Sequence, residues 1–356
     1  MPAKIAIAMS GGVDSSAAAC LLLDQGYDLV GITMKLFSDG CTPSNDAQDA
    51  RSVADQLGFP HYVFDLCDCF RAQVMDRFTA AYESGCTPNP CVICNRHIKF
   101  GALLQRAGEL NCVKTATGHY ARIDYDSGSG RFLLKKASRP EKDQSYVLAM
   151  LTQQQLSRAM FPLGELSKEE IRSIAQSRGL ITAHKSDSQD ICFIPDGDYG
   201  AFIRRYTGKT YPEGSFLSPD GTLLGRHTGI IDYTIGQRRG LGVSSNQGRL
   251  YVNEIRPTDN TVILADNASL FARSLTAKEL NLIPCDRLDG PTRLRAKIRY
   301  RMAEQPCTVE QTGPDSIRLT FDQPQRAITP GQTVVLYDGD TVVGGATIIK
   351  GENSHE

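Results

Sequence analysis

The stretch Ile5-Ala6-Ile7-Ala8-Met9-Ser10-Gly11-Gly12-Val13-Asp14-Ser15-Ser16 constrains this chain more than any other. An apolar run stops at two glycines, and a helix-compatible segment, Ala17-Ala18-Ala19-Cys20-Leu21-Leu22-Leu23, starts at once. A strand that breaks on glycines and opens a helix is an anion site. The glycines admit a ligand close to the backbone, and the first helical N–H groups point at it. Ser10, Ser15 and Ser16 add hydroxyl donors. Asp14 adds a carboxylate, which repels phosphate unless it works through a cation or orients other groups.

No lysine follows these glycines, so the loop is not the G-x-x-x-x-G-K-[ST] phosphate loop, and it is not the dinucleotide G-x-G-x-x-G either. It resembles the S-G-G-x-D-S pyrophosphate-binding loop of ATP pyrophosphatases. That resemblance implies that ATP is split to AMP and pyrophosphate while an oxygen of the substrate is adenylated.

Apolar runs at residues 4–9, 29–34, 61–65 and 113–117 alternate with helical stretches at 13–25, 46–57, 69–84 and 96–109. Continuous buried strands alternating with helices predict an α/β fold with a doubly wound parallel sheet. Ligands of such sheets sit at the carboxyl ends of the strands. The 10–15 loop, Met34 and Gly118 all fall at such ends, with Met34 suited to pack on adenine and Gly118 to admit the nucleotide to the backbone. Ser167-Lys168-Glu169-Glu170 reads as a capping box opening a helix that Gly179 ends. Short alternating strands and turns take over near Tyr211. The expected division is a catalytic domain over 1–210, a small mostly-β middle domain over 211–274 and a C-terminal β-barrel over 275–356. In the run 293–302 every second residue is basic, Arg293, Arg295, Lys297, Arg299 and Arg301, so a strand there would align five cations for a phosphate backbone.

Net charge is −1, so any nucleic-acid surface must be a local patch and not a global field. No apolar run approaches the roughly 20 residues of a membrane span, and the start of the chain lacks a signal-peptide pattern, which points to the cytoplasm. Eleven cysteines are many for a reducing compartment, which disfavours a disulfide framework and favours catalysis, redox work or metal ligation for some of them. Cys20, Cys112, Cys285 and Cys307 read as small buried hydrophobes. Cys41, Cys67, Cys69, Cys86, Cys91, Cys94 and Cys192 remain.

Two segments carry the informative cysteines. In Gly85-Cys86-Thr87-Pro88-Asn89-Pro90-Cys91-Val92-Ile93-Cys94-Asn95, the prolines deny regular structure and Asn95 reads as the N-cap of the following helix. Cys94 would then sit just before a helix N-terminus, with Arg96, His97 and Lys99 close by, a setting that lowers a thiol pKa. Cys91-x-x-Cys94 also reads as a redox or metal pair. A tetrahedral zinc site wants a second close pair, and Cys67-Asp68-Cys69 has poor spacing for it. An iron–sulfur cluster would need only a distant third thiol. Ser186-Asp187-Ser188-Gln189-Asp190-Ile191-Cys192 supplies one candidate in a polar loop.

Together these pieces resemble the tRNA-specific 2-thiouridylase family. The matching segments, in order, begin with the 10–15 loop, Gly31-Ile32-Thr33-Met34, Asn89-Pro90-Cys91-Val92-Ile93-Cys94-Asn95 and Thr117-Gly118-His119-Tyr120-Ala121-Arg122. They continue with Lys142-Asp143-Gln144-Ser145-Tyr146, Ser188-Gln189-Asp190-Ile191-Cys192-Phe193, Gly236-Gln237-Arg238-Arg239-Gly240-Leu241-Gly242, Arg299-Tyr300-Arg301 and Thr329-Pro330-Gly331-Gln332. The resemblance implies that ATP, with Mg2+, adenylates O2 of the wobble uridine of a tRNA and that sulfur then displaces AMP. It implies Cys94 as nucleophile and Cys192 as persulfide carrier, by one of two routes: the persulfide sulfur attacks C2 directly, or Cys94 attacks the persulfide, frees hydrosulfide and leaves a transient Cys94–Cys192 disulfide. A cysteine desulfurase or relay protein would supply sulfur, and a reductant would reset the pair. It implies ATP contacts from Ala8, Met9, Ser10, Gly11, Gly12, Val13, Asp14, Ser15, Met34 and Gly118, with Asp14 organising magnesium and pyrophosphate. It implies target-base contacts from Asn89, Pro90 and Cys91, and tRNA contacts from His119, Lys142, Asp143, Gln144, Arg299, Tyr300 and Gln332.

One departure stands out: many members carry Asp where this chain has Cys91. The change creates the C-x-x-C pair, and related thiolases with that pair plus a third cysteine hold an iron–sulfur cluster, so Cys91, Cys94 and Cys192 are a second, [4Fe-4S] reading. Two other classes also fit parts of the chain. One is a ligase that adenylates a small molecule, which would leave Cys94 and Cys192 idle. The other is a tRNA-binding or iron–sulfur carrier protein, which would leave the ATP loop idle.

Overall fold

The computed structural model describes residues 2–37, 45–185, 191–243 and 248–352; Cys41 and Ser188-Gln189-Asp190 lie outside them. The first part is built on a five-stranded sheet whose spatial order is His61–Asp65, Asp28–Lys35, Lys4–Ala8, Lys114–Ala116, Ala159–Met160, all parallel. The chain steps outward from Lys4–Ala8 to one side, then returns to place Lys114–Ala116 on the other. Lys4–Ala8 is therefore the switch point, where the carboxyl ends of two neighbouring strands splay and leave a crevice. The four expected strands all form. The fifth, Ala159–Met160, is two residues long and too short for any periodicity to announce.

Helix Val13–Asp24 is buried nearly all round, which its alanine-rich sequence allows. Ile171 and Ala175 of helix Lys168–Ser177 join it in one core cluster. The capping box of that helix forms in full: Glu170 N–H donates to Ser167 Oγ (3.2 Å), and Ser167 N–H donates to Glu170 Oε2 (2.7 Å).

The middle part is a four-stranded sheet in the order Tyr251–Arg256, Thr261–Ala265, Gly214–Leu217, Leu223–His227. The last part is a barrel of Phe271–Leu282, Ser316–Arg326, Gln305–Gly313, Thr292–Lys297, Thr333–Asp338 and Thr341–Glu352, closed by pairing of its first and last strands. A hairpin from the first part, Ala121–Asp126 and Arg131–Lys136, extends that sheet through the pair Thr341↔Lys135. Ion pairs between Arg122 and Asp340 (2.8 Å) and between Lys136 and Glu304 (2.6 Å) hold the graft.

Candidate active site

The loop at the switch point is shaped by contacts that only glycine permits. Gly11 has φ +70°, and a Cβ there would run into the Asp46 backbone. Gly12 is the N-cap of Val13–Asp24 and offers no side-chain cap, so the N–H groups of the first turn have no hydroxyl or carboxylate acceptor at that position. The hydroxyls of Ser15 and Ser16 both donate to Gly12 O, at 3.1 and 2.9 Å, and Ser15 Oγ accepts from Ser10 N–H at 3.3 Å. An uncapped, braced helix start of this kind is suited to phosphate oxygens. Gly118, at the end of the adjacent strand, packs against the same turn: a Cβ there would sit 2.9 Å from Ser15 N.

Asp14 does not face the crevice as a bare carboxylate. Its Oδ1 accepts from Tyr120 Oη at 2.6 Å and from Lys168 Nζ at 2.7 Å. Lys168 is only 11% exposed, so this amine is placed inside the site. Sequence reading missed it. The available signal was a lysine at the first position of a capped helix, where the macrodipole disfavours a cation and some compensating partner is required.

The cysteine helix differs from expectation. Asn89, not Asn95, is the N-cap: its side chain accepts from Cys91 N–H at 3.1 Å, and Pro90 occupies the first helical position, where its missing N–H costs nothing. Helix then runs without interruption through Pro90–Cys94, a wide-turned stretch Asn95–Ala102 and Leu103–Glu109. Cys94 thus lies more than a turn inside, and Asn95 is buried, donating to Val147 O at 3.1 Å. The helix terminus is too far to acidify Cys94, and burial takes over: desolvation pushes the Cys94 thiol up to about 12, against a smaller opposing pull from Lys99. Desolvation likewise raises Cys192 to about 11, with Cys91 adding to the rise and Lys99 again opposing. Cys91 is raised for the same reason, although Cys91 and Cys192 both keep exposed surface; the protein crowding their sulfurs outweighs the water that reaches the rest of each residue. Lys99 is a cation close enough to oppose the rise at all three thiols.

All described cysteines are free thiols, including Cys91, Cys94 and Cys192. The Cys94–Cys192 disulfide that the resemblance implies is not formed here. Among the described residues no group of three or more His, Cys, Asp or Glu side chains comes together as a ligand set. Cys91, Cys94 and Cys192 therefore do not stand together as the ligand set of a [4Fe-4S] cluster, contrary to the cluster expectation.

Cys94 and Ile98 share a core cluster with Ala6, Val30 and Ile32 of the sheet and with Phe193 and Ile194 beyond Cys192, while Met34, Ile93 and Ile191 pack on its margin. Both cysteine segments are thereby seated on the sheet that carries the pyrophosphate loop. A cavity of about 550 Å3 opens where the three parts of the chain meet. Thr87, Pro88, Asn89, Pro90 and Ile191 line it from the first part, Thr234, Ile235, Gly236 and Gln237 from the middle, and Arg299 and Gln332 from the barrel.

The remaining expected RNA residues are dispersed. Arg299 and Gln332 reach the cavity but are also braces: Arg299 donates to Ala327 O (2.6 Å) and Thr329 Oγ1 (2.9 Å), and Gln332 Nε2 donates to Thr87 O (2.8 Å). Asp143, Gln144 and Tyr300 shape one loop. The Asp143 carboxylate accepts from Ala137 N–H and Ser145 Oγ, Gln144 Oε1 accepts from Tyr120 N–H, and Tyr300 Oη donates to Asp143 O. Lys142 lies half-buried in the short helical turn Pro140–Lys142 that leads into this loop. His119 is buried and hydrogen-bonded to Thr117 Oγ1 at 2.6 Å, and burial holds it neutral, well below its usual range. The alternating basic run forms a strand only over Thr292–Lys297, so Arg299 and Arg301 lie past its end and five cations do not line one face; the three that are on it are largely engaged. Arg293 grips Asp322 with two hydrogen bonds, Arg295 approaches Glu304, and Lys297 lies over the Tyr337 ring. It is a compensated face, not a bare row of charge.

A doubly wound sheet with an uncapped S-G-G-x-D-S turn at its switch point defines an adenine-nucleotide domain of the ATP pyrophosphatase type. Family models agree along the chain: a tRNA methyl transferase HUP domain matches residues 3–196, a tRNA methyl transferase PRC-barrel domain 200–266, and an aminomethyltransferase beta-barrel domain 272–348. The tRNA-specific 2-thiouridylase MnmA of Clostridioides difficile is 46% identical over 98% of this chain and 99% of its own length. Those of Acetivibrio thermocellus and Lachnoclostridium phytofermentans are 45% and 46% identical, over 97% and 98% of this chain and 99% of each relative. The chain belongs to the tRNA-specific 2-thiouridylase family. Among solved structures, a 4-thiouridine synthetase in complex with RNA and ATP matches 54% of this chain and 45% of its own, at 18% identity and a TM-score of 0.35.

Proposed function

We propose that this chain is a tRNA-uridine 2-sulfurtransferase that thiolates the wobble uridine at the expense of ATP. The observation that carries the reading is the single cavity bordered by both cysteine segments, seated on the sheet that holds the pyrophosphate loop. A ligase for small molecules would need the loop but not two cysteine segments walling a cavity shared with the barrel.

In this reading the first turn of Val13–Asp24 holds the phosphates, and Asp14, with Lys168 beside it, sets their charge environment. Asp14 is the carboxylate that would hold a magnesium ion with the phosphate oxygens, and the ion would supply charge neutralisation for pyrophosphate departure. Adenylation of O2 makes AMP the leaving group. Asn89 and Pro90 face the splayed base, which must leave its stack to enter a cavity of this kind. Cys192, on an exposed edge of the site, receives sulfur as a persulfide from a cysteine desulfurase or relay protein. Cys94 attacks the Cys192 sulfur and releases hydrosulfide next to the adenylated carbon, which leaves a Cys94–Cys192 disulfide for a reductant. Both thiols are held protonated by burial, so each attack needs a proton removed, and Lys99 is the cation that favours the resulting thiolate.

The test is incubation with ATP, magnesium, unmodified tRNA and a persulfide donor, reading 2-thiouridine by mass spectrometry of nucleosides. Formation of 2-thiouridine with one AMP each is expected, with loss in Cys94→Ser and in Cys192→Ser. AMP transfer to a small acceptor without thiouridine would overturn the reading.

A further inference from the structure

The mechanism above moves sulfur with Cys94 and Cys192 and gives the third thiol, Cys91, no covalent role beyond the base contact that the resemblance implies. We propose that Cys91 is the resolving thiol: it displaces Cys192 from the Cys94–Cys192 disulfide and closes a Cys91–Cys94 disulfide within the helix.

The placement comes from the N-cap. With Asn89 capping and Pro90 first in the helix, Cys91 and Cys94 stand three residues apart on one face. Side chains so spaced have Cβ atoms about 5–6 Å apart. The corresponding Cα separation falls inside the range a disulfide accepts, with modest closing of the side chains. Pro90 and Ile191, the chain neighbours of Cys91 and Cys192, both line the one cavity, which brings the two cysteine segments to the same part of the molecule. Cys94 is buried at 9% exposure, whereas Cys91 is exposed. Mutual electrostatic influence among the three sulfurs agrees with this proximity.

The chemistry balances without a new co-reactant. The Cys91 thiolate attacks Cys94 Sγ, the Cys94–Cys192 bond breaks, and Cys192 leaves as a thiolate that takes up the proton Cys91 gave away. The two oxidising equivalents brought in by the persulfide sulfur now reside in the Cys91–Cys94 bond. Cys192 is thereby free to accept the next sulfur while the oxidising equivalents wait in a disulfide that no longer involves it. An internal thiol also has a high effective concentration and need not pass a bound tRNA to act.

The proposal rests on the thiolation reading, and one experiment separates the two. Protein carrying a Cys192 persulfide, loaded with a cysteine desulfurase and cysteine, is given ATP, magnesium and unmodified tRNA for a single turnover without reductant. It is quenched in acid, alkylated with N-ethylmaleimide and digested with trypsin under non-reducing conditions. Peptide 78–96 holds Cys86, Cys91 and Cys94, and peptide 186–204 holds Cys192. The expected product is peptide 78–96 lighter by two hydrogens, its disulfide assigned to Cys91 and Cys94 by fragmentation, with Cys192 alkylated. Cys91→Ser should lose this species and show peptides 78–96 and 186–204 joined. If wild-type protein forms thiouridine yet shows the joined peptides, or a Cys91–Cys192 link, the resolving role is overturned and the thiolation reading stands. If no thiouridine forms, the thiolation reading falls and this proposal with it.

Discussion

Replacing Gly118 by alanine puts a single methyl group against the pyrophosphate loop and tests whether the loop's position matters to less than an ångström. The added Cβ would meet Ser15 N at 2.9 Å and the Asp14 carbonyl carbon and Cβ at 3.0 Å each. Carbon contacts settle at about 3.5–4.0 Å, so each of these is roughly half an ångström too short. None of the three is the end of a flexible side chain. They belong to a helical turn braced by the Ser15 and Ser16 hydroxyls and by Tyr120 and Lys168 on Asp14. The strain must therefore move the loop or Gly118 itself by about that half ångström. Overpacking of this sort costs about 1–3 kcal/mol. For a domain of this size that lowers the melting temperature by about 2–10 °C. Misplacement by 1 Å costs on the order of a hundredfold in rate, so half as much should cost about tenfold. Pyrophosphate release in the presence of tRNA, followed with a coupled phosphate assay, should fall by that factor, while titration of ATP by calorimetry shows weakened binding. Wild-type melting together with wild-type pyrophosphate release would refute the argument that Gly118 sets the loop.

Other expectations follow from the same geometry. Lys168→Met leaves Asp14 with Tyr120 alone; because the amine is shielded and the carboxylate partly so, about 1–2 kcal/mol of stability should be lost in urea titration, along with ATP affinity. Asn89→Ala removes the cap that starts the cysteine helix and should cost about 1 kcal/mol; unchanged stability would mean Pro90 suffices to start it. Alkylation of Cys94 and Cys192 by iodoacetamide should climb about tenfold per pH unit from pH 7 to 10 without levelling, since both thiols are raised, to about 12 and about 11; a plateau near pH 8 would contradict the burial argument. The sign for stability is the reverse. The fold keeps these thiols protonated while the unfolded chain ionises them near 9.0, so stability is unaffected well below that pH and falls as pH rises from there toward the folded values of about 11 and about 12.

The sequence made the first part legible because its signals are local. The strand–glycine–helix turn, the alternation of buried strands with helices and the Ser167 capping box each lie within a dozen residues. The difference at Asn95 is also local: the cap is Asn89, six residues earlier, and Pro90 stands at the first helical position, where a proline starts a helix and does not exclude it. Once the start moved, the electrostatics of Cys94 reversed, because a thiol inside a packed helix is governed by desolvation and not by the terminus. Long-range partners were beyond reach. Nothing near Lys168 in the chain points to Asp14, and nothing in the alternating basic strand reveals that Asp322 on another strand and Glu304 in a connecting turn neutralise it. His119 sits beside Gly118 in sequence, but only the packing of Phe100 and Phe161 decides that it is buried.

The hairpin Ala121–Asp126 and Arg131–Lys136 leaves the nucleotide crevice three residues after Gly118 and continues the sheet of the barrel. Leu134 from that hairpin, together with Tyr146 and Leu148, shares a core with Val335, Tyr337 and Val342 of the barrel strands. The barrel is thus not a detachable module. A chain cut near residue 270 would strip that core of its cover and leave Arg131–Lys136 as an open strand edge, a template for aggregation. Anyone exchanging barrels between relatives to redirect RNA choice would have to carry the hairpin with them and accept a seam that ends three residues from the nucleotide crevice.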